Sequence, residues 1–377
     1  MGNWKNGELG DFVTLKRGFD LPQQKREDGQ VPIFSSSGIT GTHSTAMVKA
    51  PGVITGRYGT IGEVFYAAKD FWPLNTTLFV EDFHGNDAKF IYYFLKTLEW
   101  SKFTSASAVP GINRNTVHKE IVSLPDIETQ RRIASTLSMF DEKIKINTEI
   151  NDNLEQQLRT IFKAEFTDNP ELENITQIPL SELCHVVTKG TTPTTLGKPF
   201  VESGINFIKA ESILDDHSID KSKFAFIDEE TNALLKRSII HAGDVVFTIA
   251  GTLGRFALID ENVLPANTNQ AVAIIRADVE KVLPEYIYTC FIGEWHTDYY
   301  AKRVQQAVQA NLSLTTIKSL PIPLLDEAKM SEYLSLILPL IKAIKTNEAQ
   351  NEKLAALRDN LLPKLMSGEI DVSAVQL

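Results

Sequence analysis

Cysteine is nearly missing from this chain: only Cys184 and Cys290 occur in 377 residues. Two thiols with no Cys-x-x-Cys spacing exclude a disulfide framework and suit a reducing compartment. The seven histidines form no His-Glu-x-x-His or Cys/His ligand cluster. No run approaches the ~18 apolar residues of a membrane span, and the opening MGNWKNGELGDF lacks the apolar segment of a secretion signal. Asn6 stands where a myristoylation signal needs Ser or Thr. A soluble, cytoplasmic protein is expected. Catalytic fingerprints are missing too. No Gly-x-Gly-x-x-Gly follows a strand pattern and no Gly-x-Ser-x-Gly elbow occurs. The stretch from Gly190 to Lys198 fails as a phosphate loop because its spacer is too long and Pro199 replaces the hydroxyl residue. Asp168-Asn169-Pro170-Glu171 is not the Asn/Asp-Pro-Pro-aromatic motif of amino-methyltransferases. Asp126, Asp141 and Lys143 resemble a nuclease metal site in order, but along one helix the two acids lie about 22 Å apart.

Positive charge is also in short supply, with a net charge of −10. Neutralising nucleic-acid phosphates needs Lys and Arg, so weak non-specific affinity and a need for partner subunits are expected. The deficit is uneven. Residues 1–125 hold 13 basic and 12 acidic side chains, residues 126–178 hold 6 and 11, residues 179–325 hold 13 and 17, and residues 326–377 hold 6 and 8. The first segment is close to neutral, and much of the acid falls in helical stretches.

What the sequence does have is an internal repeat, the first thing to seek in a chain of this length. Val53 to Gly62 (VITGRYGTIG) recurs as Val245 to Gly254 (VVFTIAGTLG), 192 residues on, and Asn75-Thr76 recurs at that displacement as Asn267-Thr268. Each block predicts a β-branched strand, a Gly-Thr-x-Gly turn and a second strand. Phe90 to Tyr93 matches Tyr286 to Tyr288, both opening short aromatic helices. An Asn-bearing segment (Gly111-Ile112-Asn113; Ala310-Asn311-Leu312) then leads to an apolar strand ending at Leu124-Pro125 or Ile322-Pro323.

After each proline the hydrophobic period lengthens from two to about 3.6. Residues 127–166 predict one helix whose apolar residues, spaced by threes and fours, form a coiled-coil seam interrupted by Asn147 and Asn151. The second helix, about 327–362, repeats it 200 residues on: Ile144, Asn147, Asn151 and Leu154 become Ile344, Asn347, Asn351 and Leu354. Seam asparagines fix register or partner choice, so the helices are expected to pack antiparallel with the four amides together. Each spans roughly 60 Å. Pro339 is expected to kink the second. The fold class expected is α+β: two similar mixed α/β domains separated by two long antiparallel helices, a pseudo-twofold repeat. The expected boundaries are domain 1–126, helix 127–166, linker 167–178, domain 179–325, and helix with tail 326–377.

The plan resembles the specificity (S) subunit of type I restriction-modification systems. So do the entry from Leu124-Pro125 to Gln130 and the ending LRDNLLPKLMSGEI, from Leu357 to Ile370. Two departures stand out: Asp326-Glu327-Ala328 carries no matching Gln, and Pro339 interrupts the second helix. The resemblance implies two target-recognition domains, each reading half of a bipartite asymmetric DNA site, and no catalysis by this polypeptide. It implies two methyltransferase subunits on the helices, and restriction subunits, with S-adenosylmethionine, ATP and magnesium on those partners. A stand-alone DNA-binding or antirestriction protein, a cryptic nuclease and a non-DNA adaptor remain as alternatives.

Base edges are read by Arg, Lys, Asn, Gln, Ser or Thr presented on loops. Candidates in the first domain are Lys16, Arg17, Ser35, Ser36, Ser37, Arg57, Tyr58, Thr60 and Arg114. Those in the second are Lys189, Thr191, Thr192, Lys209, Thr252, Arg255 and Gln270. The two Gly-Thr-x-Gly blocks are equally readable as plain hairpin turns, and Asn75 and Asn267 as local backbone partners. Gln156, Gln157, Arg159 and Lys163, on the outer helix face, are candidate partner contacts.

Overall fold

The computed structural model describes residues 4–104, 110–169, 175–304 and 311–372. Contacts divide the chain into two units, Met1–Ile144 with Lys353–Leu377, and Lys145–Glu352. The division falls inside both long helices.

The first unit opens with β1 (Lys5–Glu8), α1 (Leu9–Phe12) and β2 (Thr14–Arg17). Then come β3 (Val31–Ser35), β4 (Gly38–His43), β5 (Gly52–Gly56), β6 (Val64–Ala67), β7 (Trp72–Pro73) and β8 (Thr77–Asp82). α2 (Ala88–Lys96), α3 (Arg114–Val117) and β9 (Ile121–Leu124) lead into α4 (Ile127–Phe166). The strands form an antiparallel sheet ordered β2-β8-β5-β6, a smaller sheet ordered β4-β3-β7 with β7 parallel to β3, and the pair β1-β9. β5 is buried along its whole length because it lies between β8 and β6. α2 starts where the Asp87 carboxylate accepts from the amides of Lys89 and Phe90, and its apolar face covers the sheet.

The second unit repeats this order. It contains β10 (Gln177–Pro179), β11 (Cys184–Lys189), β12 (Ile205–Ile208), β13 (Ala225–Ile227) and α5 (Glu229–Leu234). β14 (Val245–Thr248), β15 (Phe256–Leu258), β16 (Ala266–Thr268) and β17 (Val272–Ala277) follow. α6 (Pro284–Ile292), α7 (Thr297–Val304), α8 (Leu314–Lys318), β18 (Pro321–Pro323) and α9 (Glu327–Met366) complete the chain. The sheets are ordered β11-β17-β14-β15 and β13-β12-β16, with β16 parallel to β12, and β10 pairs with β18. Every sheet of the first unit has its counterpart. The Ile112 amide donates to the Arg57 carbonyl and the Leu312 amide to that of Ile249, so even the segment leading to α3 and α8 is pinned alike. Ala310 lies outside the described residues, as does the middle of the expected linker.

The repeat is looser than a single displacement. Gly18 has room for no side chain, since a Cβ would sit 2.1 Å from the Leu74 carbonyl oxygen, and one on Gly190 would sit 1.8 Å from that of Thr268. Leu74 therefore corresponds to Thr268, and the expected match of Asn75-Thr76 with Asn267-Thr268 is out of step. The cause is that the loops between the hairpin and the parallel strand differ in length. Asn267 is fully buried, donating to Asn232 and accepting from Ser238, whereas Asn75 reaches the Asp20 carboxylate.

Each unit is closed by both long helices. In the second, Phe162 and Phe166 of α4 pack with Tyr286, Trp295 and Tyr333. In the first, Ile133 and Leu137 of α4 share a core with Leu365 and Met366 of α9, and Trp4 lies against Gly368. Within the second unit the helices run antiparallel. Asn147 Nδ2 donates to Asn351 Oδ1 at 2.8 Å and to Gln350 Oε1 at 2.8 Å, and Asn347 Nδ2 donates to Asn151 Oδ1 at 2.8 Å. The two amide pairs exchange when each residue is replaced by its repeat partner 200 positions away, so the asparagines meet as expected. Ile344 and Leu154 line the same seam, and Leu354 of α9 is half-buried in the first unit. In the first unit Arg358 Nη1 donates to Asp141 Oδ1 at 2.5 Å, again antiparallel.

α9 runs through Pro339 as one helix from Glu327 to Met366. The Pro339 ring is exposed while Ile337 and Ile341 on either side are buried, so tertiary packing offsets the lost backbone hydrogen bond. The missing Gln has a structural meaning as well. Gln130 accepts from the Asp87 amide and donates to Asn86 Oδ1 and the Pro125 carbonyl, tying α4 to the start of α2. In the second unit Met330 occupies that place and packs on the core instead.

Two outcomes follow for stability. Asn351→Leu removes an acceptor from the fully buried Asn147 and should destabilise the second unit by about 1–3 kcal/mol, whereas Asn147→Leu with Asn351→Leu, removing both polar groups, should recover much of it. Thermal melting of the two singles and the double checks this; additive losses would mean the amides are not coupled. His296 lies among Phe247, Phe291 and Tyr300, and burial, with the nearby His217 and Arg159, pulls its imidazole pKa down to about 4. Its folded value lies below its unfolded value, so its contribution is complete above pH ~6.5 and is lost as the pH falls toward 4, by at most about 3 kcal/mol. His296→Phe should flatten the fall in melting temperature over that window; an unchanged slope would assign it to other groups.

Candidate nucleic-acid interface

The close crossing at Gly18 and Gly190 places the loop after the first sheet strand beside the turn that leads into the central strands. In the second unit β11 ends on Lys189, the loop carries Thr191 and Thr192, and the turn carries Gln270. The Thr192 hydroxyl donates to Gln270 Oε1. In the first unit the corresponding loop carries Arg17 and Asp20, Arg17 lies 3.5 Å from Asp20, and Asn75 on the turn donates to Asp20. The same side-chain bond between loop and turn is thus built twice with different chemical groups. Residue type alone points to Arg17, Lys189, Thr191, Thr192 and Gln270, but not to Asp20, which becomes a candidate only through its bond to Asn75.

The second unit has one more cation at this locus. Arg237 is exposed on a short turn, with Nη2 3.4 Å from the Lys189 carbonyl and 3.5 Å from Thr191 Oγ1. The turn is fixed from below, where the buried Ser238 hydroxyl donates to Asn267 at 2.7 Å. Arg237 is not among the sequence candidates because nothing in its local pattern, the doublet Lys236-Arg237 apart, separates it from other cations on turns.

The Gly-Thr-x-Gly turns form a second locus. Both join the hairpins β5–β6 and β14–β15, with Gly59, Gly62, Gly251 and Gly254 at positive φ. Thr60 is exposed, and a Cβ on Gly59 would lie 3.3 Å from Ser36 Oγ, so the β3–β4 turn with Ser35, Ser36 and Ser37 adjoins this hairpin. Ser35 Oγ donates to the Gly38 carbonyl and receives the Ser37 amide, bonds that shape the turn itself. The Arg57 guanidinium sits 4.6 Å over the Tyr58 ring and contacts the Ile112 carbonyl. In the second unit the Thr252 hydroxyl donates to the Ala210 carbonyl at 3.3 Å. Arg255 is held by Asp215 in a bidentate pair at 2.6 and 2.7 Å and by the Ile213 carbonyl, so it orders the loop around Asp215.

The remaining candidates are dispersed. Lys16 pairs with Glu81, Lys209 with Glu211 at 3.5 Å, and Arg114 is exposed at the start of α3. On the helices Gln156 and Gln157 are exposed and Lys163 reaches Asp168 at 3.6 Å. Arg159 is engaged by Glu155 and Glu294, both at 2.8 Å, inside the second unit. Asp141, one of the acids in nuclease-like order, bonds the Tyr93 hydroxyl and Arg358. Asp126 Oδ1 caps α4 by accepting from the Thr129 amide. Among the described residues no group of three His, Cys, Asp or Glu side chains could hold a metal ion, and no helix is long and apolar enough to cross a membrane.

Comparison with known proteins gives this arrangement a family. The profile described as the type I restriction modification DNA specificity domain matches residues 1–156 and 173–356. Among similar proteins, the type I restriction enzyme MjaIX specificity subunit of Methanocaldococcus jannaschii is 25% identical over 313 residues, spanning 76% of this chain and 70% of that protein. The HindI specificity subunit of Haemophilus influenzae is 24% identical over 358 residues, spanning 73% and 75%. The crystal structure of a type I restriction-modification S subunit from M. genitalium superposes with a TM-score of 0.59 at 17% identity, covering 97% of this chain and 96% of that one, which shows a shared fold. Two matches by sequence profile, one to each repeat, together span most of the chain, and the chain belongs to the type I restriction-modification DNA specificity family.

Proposed function

We propose that each unit reads one half of a split, asymmetric DNA sequence, and that the chain brings this choice of sequence to a type I restriction-modification complex. The observation that carries this reading is the twice-built loop-and-turn locus. One topology, repeated, presents Arg17, Asp20 and Asn75 in the first unit and Lys189, Thr191, Thr192 and Gln270 in the second. A duplicated frame with different hydrogen-bonding groups at one place is what two unlike half-sites require.

Chemistry is assigned to partner subunits. Methyltransferase subunits would dock along the helices, where the exposed Gln156, Gln157 and Lys163 offer contacts, and restriction subunits would join through them. S-adenosylmethionine, ATP and magnesium would belong to those partners. The acidic balance of this chain, −10 overall, supports the same division of labour, since the partners would supply much of the cationic surface that DNA phosphates demand.

Co-expression with the methyltransferase of the same system, followed by genome-wide mapping of methylated adenines, should return two short fixed blocks separated by unread bases. Exchanging residues 1–125 for those of another family member should change one block and leave the other intact. A change in both blocks, or a motif without a gap, would contradict the assignment of one half-site to each unit.

A further inference from the structure

Resting on the reading that the second unit recognises a DNA half-site, we infer that Arg237 is a specificity-determining residue that reads a guanine there, with Gln270 and Thr192 beside it. Three arginines of the second domain can be compared. Arg255 is clamped by Asp215, and Arg276 donates to the fully buried Asp244 at 2.7 Å through both Nε and Nη2. Both guanidiniums are occupied in holding loops. Arg237 has no carboxylate partner among the described residues. Its contacts are a carbonyl and a hydroxyl at 3.4 and 3.5 Å, at the outer limit of hydrogen bonding, so an incoming acceptor displaces them at little cost.

Its mounting is rigid where its side chain is loose. The Ser238 hydroxyl, buried next to Arg237, donates to Asn267, whose amide donates in turn to Asn232 and the Leu235 carbonyl. The backbone beneath Arg237 is therefore fixed against β16, the strand that leads to Gln270. Pre-ordering of this kind reduces what binding must spend on immobilising the loop.

The chemical mixture favours a base edge over a phosphate. A guanidinium only donates, and guanine offers two acceptors, O6 and N7, along its major-groove edge. A phosphate accepts from a guanidinium, an amide N–H and a hydroxyl alike, but it offers no donor to the Gln270 carbonyl oxygen, whereas base edges in the major groove carry donors as well as acceptors. The corresponding locus of the first unit carries Asp20, an acceptor, so the two units present different patterns at one topological position.

The complex of this chain with its methyltransferase, co-expressed with Arg237→Ala or Arg237→Lys, tests the inference by mapping methylated adenines. One position of the second half-site should change from a fixed guanine to a relaxed base, with discrimination there falling about ten- to a hundredfold, while the first half-site stays as in the parent. Arg237→Lys keeps the charge on an exposed position and loses only the planar fork, so it relaxes that position too and guards against a folding artefact in Arg237→Ala. An unchanged motif in both variants, or a uniform loss of methylation with every position intact, as a phosphate contact gives, overturns the assignment. Failure of the parent chain to give any split motif would instead refute the underlying half-site reading.

Discussion

Gly293 leaves room for the Phe162 ring and nothing more: a Cβ there would lie 2.1 Å from Phe162 Cδ1. That contact is one of a set by which the far end of each forty-residue helix is buried in a core whose strands lie elsewhere in the sequence. α4 starts beside the first sheet, where Ile133 and Leu137 are buried, and ends with Phe162 and Phe166 in the second unit. α9 starts beside the second sheet, where Tyr333 and Ile337 are buried, and ends with Leu365 and Met366 in the first. Neither unit is a continuous stretch of chain. Each borrows about one aromatic or aliphatic turn that it cannot supply itself, and burying each such large side chain stabilises by ~1.5–3 kcal/mol.

This closure explains why the amides matter. An apolar seam of Leu and Ile tolerates sliding by a heptad, and a slide would withdraw Phe166 from its place beside Tyr333. The reciprocal pairs Asn147 with Asn351 and Asn151 with Asn347 form in one register only, so a polar interruption that lowers intrinsic stability fixes how α4 and α9 are aligned within the second unit.

Much of this was legible from residues. The helix from Ile127 to Phe166 follows from its period, and the meeting of the asparagines from their doubling in two seams. The hairpins at Gly59 and Gly251 follow from the glycine spacing. Tertiary packing overrode local propensity at Pro339, where buried neighbours keep the helix whole. The Asn75–Asn267 equivalence failed because identity at a fixed displacement cannot register loops of unequal length, whereas the glycine crossings can. At the interface, residue type pointed to Lys189, Thr192 and Gln270 but could not show that Arg255 is consumed by Asp215 or that Arg237 stands beside Thr191. Those distinctions depend on long-range partners, and single-chain patterns carry none.

Each unit therefore needs the helix end contributed by the other repeat. Hydrogen–deuterium exchange on the chain truncated after Glu352 measures this directly. Loss of Leu365, Met366 and the turn over Trp4 should sharply lower protection across β1, α1 and β9, while the amides of α6 and β14 keep theirs. Unchanged protection throughout the first unit would show that it closes without α9 and would contradict the account.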